Sequence, residues 1–298
     1  TKLPHELLRY LMETQGYNLF IIEAGFGEVA FLNDYIQGDV DSLVPILNNN
    51  ISTWRYQTTE FVTMMEWLRD YNKTHSNKVT LYGMEMQFVT GDLSRVTNYL
   101  KKVGFETNDA AFTKHLWQPV TEEEKGDYYI AYQKLKNLFI KNKDQFILKT
   151  GEHLFSTAYH HIEVIVQFIT AIHQNSDLLK STFRDIYMAE NIEWILQNHS
   201  PKSKAFVWAH NVHVGDWVSN GITDVLGHQL KNRFGTSFYN IATDFGTGEF
   251  YAFPHNANEV GWKMQVYKFE KILPNTFTHC LQQLAGPNLF LDLKQMKT

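Results

Sequence analysis

The chain has 298 residues, of which 44% are hydrophobic and 14% aromatic, enough for the substantial core of a globular protein. Its formal net charge of −5 lacks the basic excess that binding to a phosphate backbone requires, which excludes nucleic acid as a partner, and no stretch approaches the roughly 18 apolar residues of a membrane-spanning helix. Cys280 is the only cysteine, so an intrachain disulfide is excluded and we expect the protein in the reducing cytoplasm.

Short apolar runs alternate with helical patterns, which predicts an α/β fold with a largely parallel β-sheet flanked by helices. A first helix is expected from Pro4, a residue favoured in a first helical turn, to Gly16. Apolar side chains at helical spacing predict another helix over residues 59–72. Strands are predicted at residues 17–23, 79–83, 205–209, 237–242 and 288–293.

Residues 108–199 contain no convincing strand pattern and predict a helical insertion within a single domain over residues 1–298. A capping-box pattern at Thr121 to Glu124 precedes the first of its helices. Three helices are expected, at residues 123–144, 152–174 and 176–198. They form either a cap that shapes a pocket for a sizeable substrate or a structural helix layer, and the sequence leaves both alternatives open.

Polar side chains follow four of the predicted strands. They are Glu23, Glu85, the pair His210 and His213, and Asp244. Because ligands of open parallel sheets bind in the crevice beyond the carboxyl ends of the strands, we expect these side chains to converge there. The pattern predicts the location of a site more firmly than it predicts a reaction.

The segment from His210 to His213 is the strongest element of this site. Asn211 and the following Gly215 favour a turn, in which residues three apart can converge. A neutral imidazole there can accept a proton from water, return one to a leaving group, or bind a metal. The alternative is that one histidine is a buried hydrogen-bonding residue that fixes the loop.

Three further elements of the site have more than one interpretation. Glu23 could orient an imidazole, act as a base when desolvated, or be a solvated carboxylate at a strand end. Arg184 either binds an oxyanion or pairs with the neighbouring Asp185. Trp54, together with Arg55, either lines the pocket or belongs to a stacked core or surface pair.

Several catalytic and cofactor signatures are missing from the sequence. It has no Gly-x-Ser-x-Gly elbow, no phosphate-binding Walker loop and no dinucleotide fingerprint, so we expect no cofactor. A water molecule activated by histidine and carboxylate remains as the leading hypothesis. His210 and His213 with a carboxylate could instead hold a metal, which keeps a metal-dependent hydrolase as an alternative.

Several blocks of the sequence resemble the erythromycin esterase family, some of whose members are called succinoglycan biosynthesis proteins. The blocks are LLRYLMETQGYNLFIIEAG, TWRYQTTEFVTMMEWLRDYN, LYGMEMQ and, most specifically, RDIYMAENIEWI followed by KAFVWAHNVHVG. They cover most of the chain. The resemblance implies hydrolysis of a macrolide lactone, a reaction of antibiotic resistance, or of another small-molecule ester, by a water that histidine and glutamate activate without an obligatory metal.

The resemblance also implies roles for individual residues. Glu23, His210 and His213 stand at the positions of the family's catalytic residues. The residues expected to support them or to bind substrate are Arg184, Asp185, Glu85, Gln87, Trp54 and Asn211.

The sequence departs from the family pattern at its beginning. The family's Gly-Glu-x-x-His-Gly loop, which holds the expected general base, belongs before Thr1, and the chain starts without a methionine, so we expect a preceding segment in the parent protein. Pro4 stands where a basic residue is expected and Glu85 where aspartate is usual. Without such a segment, the alternative is a non-catalytic relative that binds small molecules.

Overall fold

The computed structural model describes residues 2–105, 122–216, 225–252 and 264–282. The chain forms two compact units, Thr1–Asn240 and Ile241–Thr298. The prediction of a single domain over the whole chain stays a prediction. In the described ranges, no helix combines the length and the apolar character needed to cross a membrane.

A three-stranded parallel sheet in the order β2-β1-β3 forms the centre of the first unit. Its strands are β1 Leu19–Gly25, β2 Thr80–Glu85 and β3 Ala205–Trp208, which confirms three of the predicted strands. The helices of this unit are α1 Lys2–Gln15, α2 Phe26–Gln37, α3 Val44–Asn49, α4 Thr59–Thr74, α5 Thr90–Lys102, α6 Glu122–Lys141, α7 Lys143–Thr150, α8 Glu152–Ile172, α9 Asp177–Gln197, α10 Asn211–Val214 and α11 Leu226–Phe234. The α/β class is therefore as predicted.

The predicted helices are confirmed, with one subdivision. Helices α1 and α4 match the expected ones, and the described part of the interval between β2 and β3 is helical. Four helices, α6 to α9, lie where three were expected, because Lys143–Thr150 forms a separate helix. Helices α8 and α9 share a buried hydrophobic cluster with β1, so they form a structural layer on the sheet.

The two faces of β1 pack into different hydrophobic clusters, because successive side chains of a strand point to opposite faces. Leu19 and Ile21 pack with residues of α5, α6, α8 and α9. Phe20 and Ile22 pack with residues of α1, α2 and α4. All of β1 is buried, as expected for the central strand of a sheet covered by helices on both faces.

The register of β1 against β2 shifts at the carboxyl end of β1. Ile22 is paired with Gly83, but Gly25 is paired with Glu85, and the irregularity between Ile22 and Gly25 contains Glu23. Gly83 makes this bulge possible, because a Cβ there would lie 2.4 Å from the carbonyl oxygen of Gly25 and 2.5 Å from that of Ala24. Bulges at strand ends re-aim side chains, and this one directs Glu23 towards the third strand.

The predicted strand at residues 237–242 is wrong. Gly235–Ser237 forms a short 3-10 turn, and residues 238–242 have no regular secondary structure. A strand needs a neighbour to pair its N–H and C=O groups, and no described strand lies beside this apolar run. The strand predicted at residues 288–293 lies outside the described residues.

The described part of the second unit contains an antiparallel strand pair and a short helix. These elements are β4 Gly248–Ala252, β5 Gln265–Phe269 and α12 Phe277–Gln282. Asp244 belongs to this unit, and its carboxylate accepts hydrogen bonds from the N–H of Phe245 and the hydroxyl of Thr278.

Replacing Gly83 with alanine tests the bulge. We expect Gly83→Ala to lower the free energy of unfolding by about 3 kcal/mol, because the new Cβ meets backbone atoms that cannot move without displacing Glu23. The control is Gly126→Ala in α6, where a Cβ has open space and alanine favours the helix by about 0.5 to 1 kcal/mol. Urea unfolding of both variants checks this, and equal stabilities would contradict it.

Candidate active site at the strand ends

Glu23, buried at the end of β1, lies at the centre of a polar cluster. Its Oε2 accepts a hydrogen bond of 2.8 Å from the backbone N–H of His210. Its Oε1 accepts from Nη2 of Arg55 at 2.9 Å and from Nη2 of Arg184 at 3.0 Å. The cluster therefore connects the end of β1 with the segment that follows β3, where the sequence predicted a site.

Charges and hydrogen bonds keep Glu23 ionised. Burial alone would raise the pKa of this carboxyl, but the backbone N–H of His210 and the positive charges of Arg55 and Arg184 outweigh it and lower the pKa below its ordinary value. Glu23 is thus a carboxylate at neutral pH although its side chain is only 4% exposed.

Arg184, on α9, connects groups from the ends of all three strands. Its Nε donates to Oε2 of Glu85 at 2.5 Å, and its Nη2 donates to both Glu85 and Glu23. Its Nη1 donates to Nε2 of His213 at 2.7 Å. Burial would lower the pKa of Arg184, but Glu85 and Glu23 raise it, so the guanidinium stays charged. Its carboxylate partners are these glutamates and not the neighbouring Asp185.

Asp185 pairs with His213 instead and fixes the tautomer of that histidine. Nδ1 of His213 lies 2.6 Å from Oδ1 of Asp185. Because an arginine N–H can only donate, Nε2 of His213 must be unprotonated when it accepts from Arg184, and the ring proton is therefore on Nδ1, shared with Asp185. Oε1 of Glu23 lies 3.7 Å from the same Nε2. A carboxylate bonded to one imidazole nitrogen holds the tautomer and the orientation of the histidine base in hydrolase triads.

His210 has a different environment from His213. It is the N-cap of α10, and its Nδ1 accepts the N–H of Val212 at 3.1 Å. The side chain is exposed, and its neutral form carries the proton on Nε2. The turn predicted for this segment is confirmed, but His210 binds Glu23 through its backbone, and its imidazole is held by α10 itself.

The other predicted site residues differ in their contributions. Oε1 of Glu85 accepts the backbone N–H groups of Met86 at 3.1 Å and Gln87 at 3.2 Å, so exposed Gln87 acts through its main chain. Asn211 is exposed in the first turn of α10. Trp54 begins the 3-10 turn Trp54–Tyr56, and its side chain lies outside the described part of the structure.

Tyr56 is a site residue that the sequence did not single out, and Arg55 was considered only together with Trp54, as pocket lining or as part of a stacked pair. The hydroxyl of Tyr56 donates to the carbonyl oxygen of Glu23 at 3.1 Å, and Nη2 of Arg55 also lies 3.3 Å from that oxygen. The segment containing Trp54 had been marked as possible pocket lining. Nothing in its sequence indicated that Arg55, one residue later, would bond to Glu23.

Glu28, in the first turn of α2, is a further buried carboxyl, and sequence patterns did not reveal it. Its Oε1 accepts hydrogen bonds from the N–H of Ser52 at 3.1 Å and from the hydroxyl of Ser52 at 2.5 Å. Burial raises the pKa of Glu28 to about 7, helped by the negative charges of Asp92 and Glu85 and opposed by the bonds from Ser52.

The first turns of α2 and α5 meet beside this site. A Cβ on Gly27 would lie 2.1 Å from the backbone nitrogen of Asp92, so the two helix ends are in backbone contact. The buried carboxylate of Asp92 accepts the N–H of Gly27 at 3.2 Å and lies 2.7 Å from Nδ1 of His161 on α8. These bonds fix the start of α2, and hence the end of β1, against the helix layer.

The metal alternative depended on His210 and His213 with a carboxylate. Nε2 of His213 accepts from a positively charged guanidinium, and Nδ1 of His210 accepts a backbone N–H. In the described ranges, no three His, Cys, Asp or Glu side chains form a group that could hold a metal ion.

Comparison with known proteins identifies relatives over almost the whole chain. The family model described as erythromycin esterase matches residues 12–298. Erythromycin esterase type II of Escherichia coli is 25% identical over 309 residues, which cover 90% of this chain and 71% of that protein. The resemblance of several sequence blocks predicted this family, and the match over almost the whole chain confirms it.

Two solved structures have the same fold. A Bacillus cereus protein superimposes with a TM-score of 0.79 at 22% identity, covering 99% of this chain and 73% of its own. A succinoglycan biosynthesis protein superimposes with a TM-score of 0.71 at 20% identity, covering 90% of this chain and 66% of its own. At 22% and 20% identity, the similarity of these two structures to this chain shows a shared fold.

Removing the charge of Arg184 tests its role as the counterion of the buried glutamates. We expect Arg184→Gln to lower the free energy of unfolding at pH 7 by about 3 to 5 kcal/mol, because Glu23 and Glu85 then remain buried without it. Arg9→Gln removes an arginine from an exposed pair with Glu6 and should change stability by less than about 1 kcal/mol. Denaturant unfolding compares them, and equal losses would refute the assignment.

The raised pKa of Glu28 predicts a pH-dependent stability. Because the folded pKa of about 7 exceeds the ordinary 4.5, the stability that Glu28 contributes is full below pH 4.5 and is lost as the pH rises through 7. Glu28→Gln cannot titrate but keeps an acceptor for Ser52. Relative to this variant, the wild type should lose on the order of 3 kcal/mol between pH 4.5 and 8. A difference in unfolding free energy that does not change with pH would contradict this.

Proposed function

The chain belongs to the erythromycin esterase family, and on this premise we propose that it hydrolyses carboxylic esters or lactones with a water molecule activated by His213. Family membership indicates esterase or other hydrolase chemistry. The observation that carries the finer proposal is the buried imidazole of His213, with Asp185 2.6 Å from Nδ1 and Glu23 3.7 Å from Nε2.

The formal charge of the cluster favours His213 as the proton acceptor. Three carboxylates, those of Glu23, Glu85 and Asp185, face the two guanidinium groups of Arg55 and Arg184, which leaves one net negative charge. A proton gained by the imidazole neutralises that charge. Asp185 stabilises the resulting imidazolium through Nδ1, and Glu23 faces the newly protonated Nε2.

Hydrolysis then takes two steps. Water replaces Arg184 at Nε2 of His213, its oxygen bonds to the ester carbonyl carbon, and its proton passes to Nε2. The bond between that carbon and the alkoxy oxygen breaks next, and His213 returns the proton to the leaving oxygen. The products are a carboxylic acid and an alcohol, or one hydroxy acid when the substrate is a lactone.

His210 has the geometry of a hydrogen-bond donor to the substrate. Its side chain is exposed, and with Nδ1 occupied by the N–H of Val212, Nε2 is the protonated nitrogen. We assign this N–H to the carbonyl oxygen, where it polarises the C=O bond and stabilises the developing oxyanion. The segment after β3 thus supplies one histidine for proton transfer and one for polarisation.

We propose a small-molecule ester or lactone as the substrate class, macrolides included, because the Escherichia coli relative is named erythromycin esterase type II. The proposed chemistry uses no metal. Cys280 is a free, exposed thiol, and we retain the cytoplasm as the proposed location.

Turnover by the full-length protein tests this function. We expect hydrolysis of p-nitrophenyl esters or erythromycin in the presence of EDTA, with kcat reduced about 1000-fold by His213→Gln and about 100-fold or more by Asp185→Asn. His153→Gln, which removes an exposed histidine of α8, should leave kcat unchanged. Absence of turnover by the wild type on a broad ester panel, or loss of activity on chelation, would refute the proposal.

A further inference from the structure

Arg55 and Arg184 bond the same carboxylate oxygen of Glu23 but use their donors differently. Arg184 commits Nε, Nη1 and Nη2 to Glu85, His213 and Glu23. Arg55 uses Nη2 alone, on Oε1 and on the carbonyl oxygen of Glu23. A guanidinium carries five N–H groups, so Nε and Nη1 of Arg55 keep donors that have no acceptor in the described part of the chain.

The two arginines also differ in exposure, and Arg55, which has the unused donors, is the more exposed one. The side chain of Arg55 is 39% exposed, whereas that of Arg184 is 15% exposed and that of Glu23 4%. A ligand that approaches Glu23 from solvent therefore meets the guanidinium of Arg55 before that of Arg184. Glu23 holds the guanidinium of Arg55 in place and is its carboxylate partner among the described residues.

The segment that carries Arg55 is fixed at both ends. At one end the hydroxyl of Tyr56 bonds to the carbonyl oxygen of Glu23 at 3.1 Å. At the other end both the N–H and the hydroxyl of Ser52 bond to Oε1 of buried Glu28. Glu23 and Glu28 belong to one continuous strand and helix, so the backbone of Arg55 is held against a rigid support, as pre-organised ligand-binding groups are.

We propose that Arg55 is a substrate-binding residue that donates hydrogen bonds to the acyl oxygens of the ester and of its carboxylate product, and that Glu28 positions it through Ser52. The proposal deepens the ester hydrolysis proposed above, on which it rests, by naming the residue that holds the acyl group. Arg184, which stays bonded to Glu85 and Glu23 through Nε and Nη2, organises the buried cluster, and the binding of substrate and product oxygens is assigned to Arg55.

Binding of a carboxylate measures this role independently of turnover. With butyrate as the probe, isothermal titration should show about 10-fold weaker binding to Arg55→Gln than to the wild type and an intermediate affinity for Arg55→Lys, because lysine keeps the charge but loses the planar fork. Arg9→Gln, which removes an exposed arginine in an ion pair of α1, should bind like the wild type. Equal affinities of Arg55→Gln and the wild type, or no butyrate binding by the wild type, would overturn the proposal.

Steady-state kinetics with p-nitrophenyl butyrate separate binding from proton transfer. Arg55→Gln should raise KM about 10-fold with a smaller change in kcat, the opposite of His213→Gln, whose loss is in kcat. Ser52→Ala, which removes the hydroxyl that donates to Glu28, should also raise KM. A loss confined to kcat in Arg55→Gln would overturn the assignment.

The two proposals can fail separately. If the wild type hydrolyses no ester but binds butyrate in a manner that depends on Arg55, the proposed hydrolysis fails and the binding role of Arg55 stands. If the wild type hydrolyses esters and Arg55→Gln matches it in KM and in butyrate affinity, the hydrolase stands and the role of Arg55 fails.

Discussion

The guanidinium of Arg184 is the group on which the rest of the site depends. Two buried carboxylates, Glu23 and Glu85, end adjacent strands, and each would be costly to bury without an opposite charge. Arg184 reaches both of them and His213 from the helix layer, so one side chain neutralises the strand ends and sets the tautomer of the imidazole. Packing of α9 on the sheet therefore also brings the site residues together.

Backbone geometry determines which side chains take part. The bulge in β1 directs Glu23 towards the segment after β3, and Gly83 leaves the room for it on β2. Asp185 lies next to Arg184 on α9, but its carboxylate pairs with His213 and not with Arg184. Arg55 is the more exposed of the two cations, which is why we propose a ligand-binding role for Arg55 and a structural role for Arg184.

The sequence allowed much of this to be predicted, and its errors have a common cause. The three confirmed strands and the helices α1, α4, α6, α8 and α9 were predicted because apolar periodicity is local information. The strand at residues 237–242 was wrong because a strand also needs a partner, which no local pattern records. Trp54 and Arg55 were considered together as pocket lining, but the bond from Arg55 to Glu23 was missed, since residue type does not say which side chain of a turn bonds to a carboxylate on a strand 32 residues earlier. Glu28 was missed because its raised pKa results from burial, and nothing in the neighbouring sequence predicts that burial.

By itself, the sequence determined the α/β class, the family, and the edge of the sheet at which Glu23, Glu85 and the two histidines lie, because apolar runs followed by polar residues specify strands and their ends. Only the tertiary structure decided that His213 is buried between Asp185 and Arg184 while the imidazole of His210 is exposed. It also decided that Arg184 pairs with glutamates from two strands. These facts depend on distances between residues far apart in the chain, and such distances are fixed only when helices and sheet pack together.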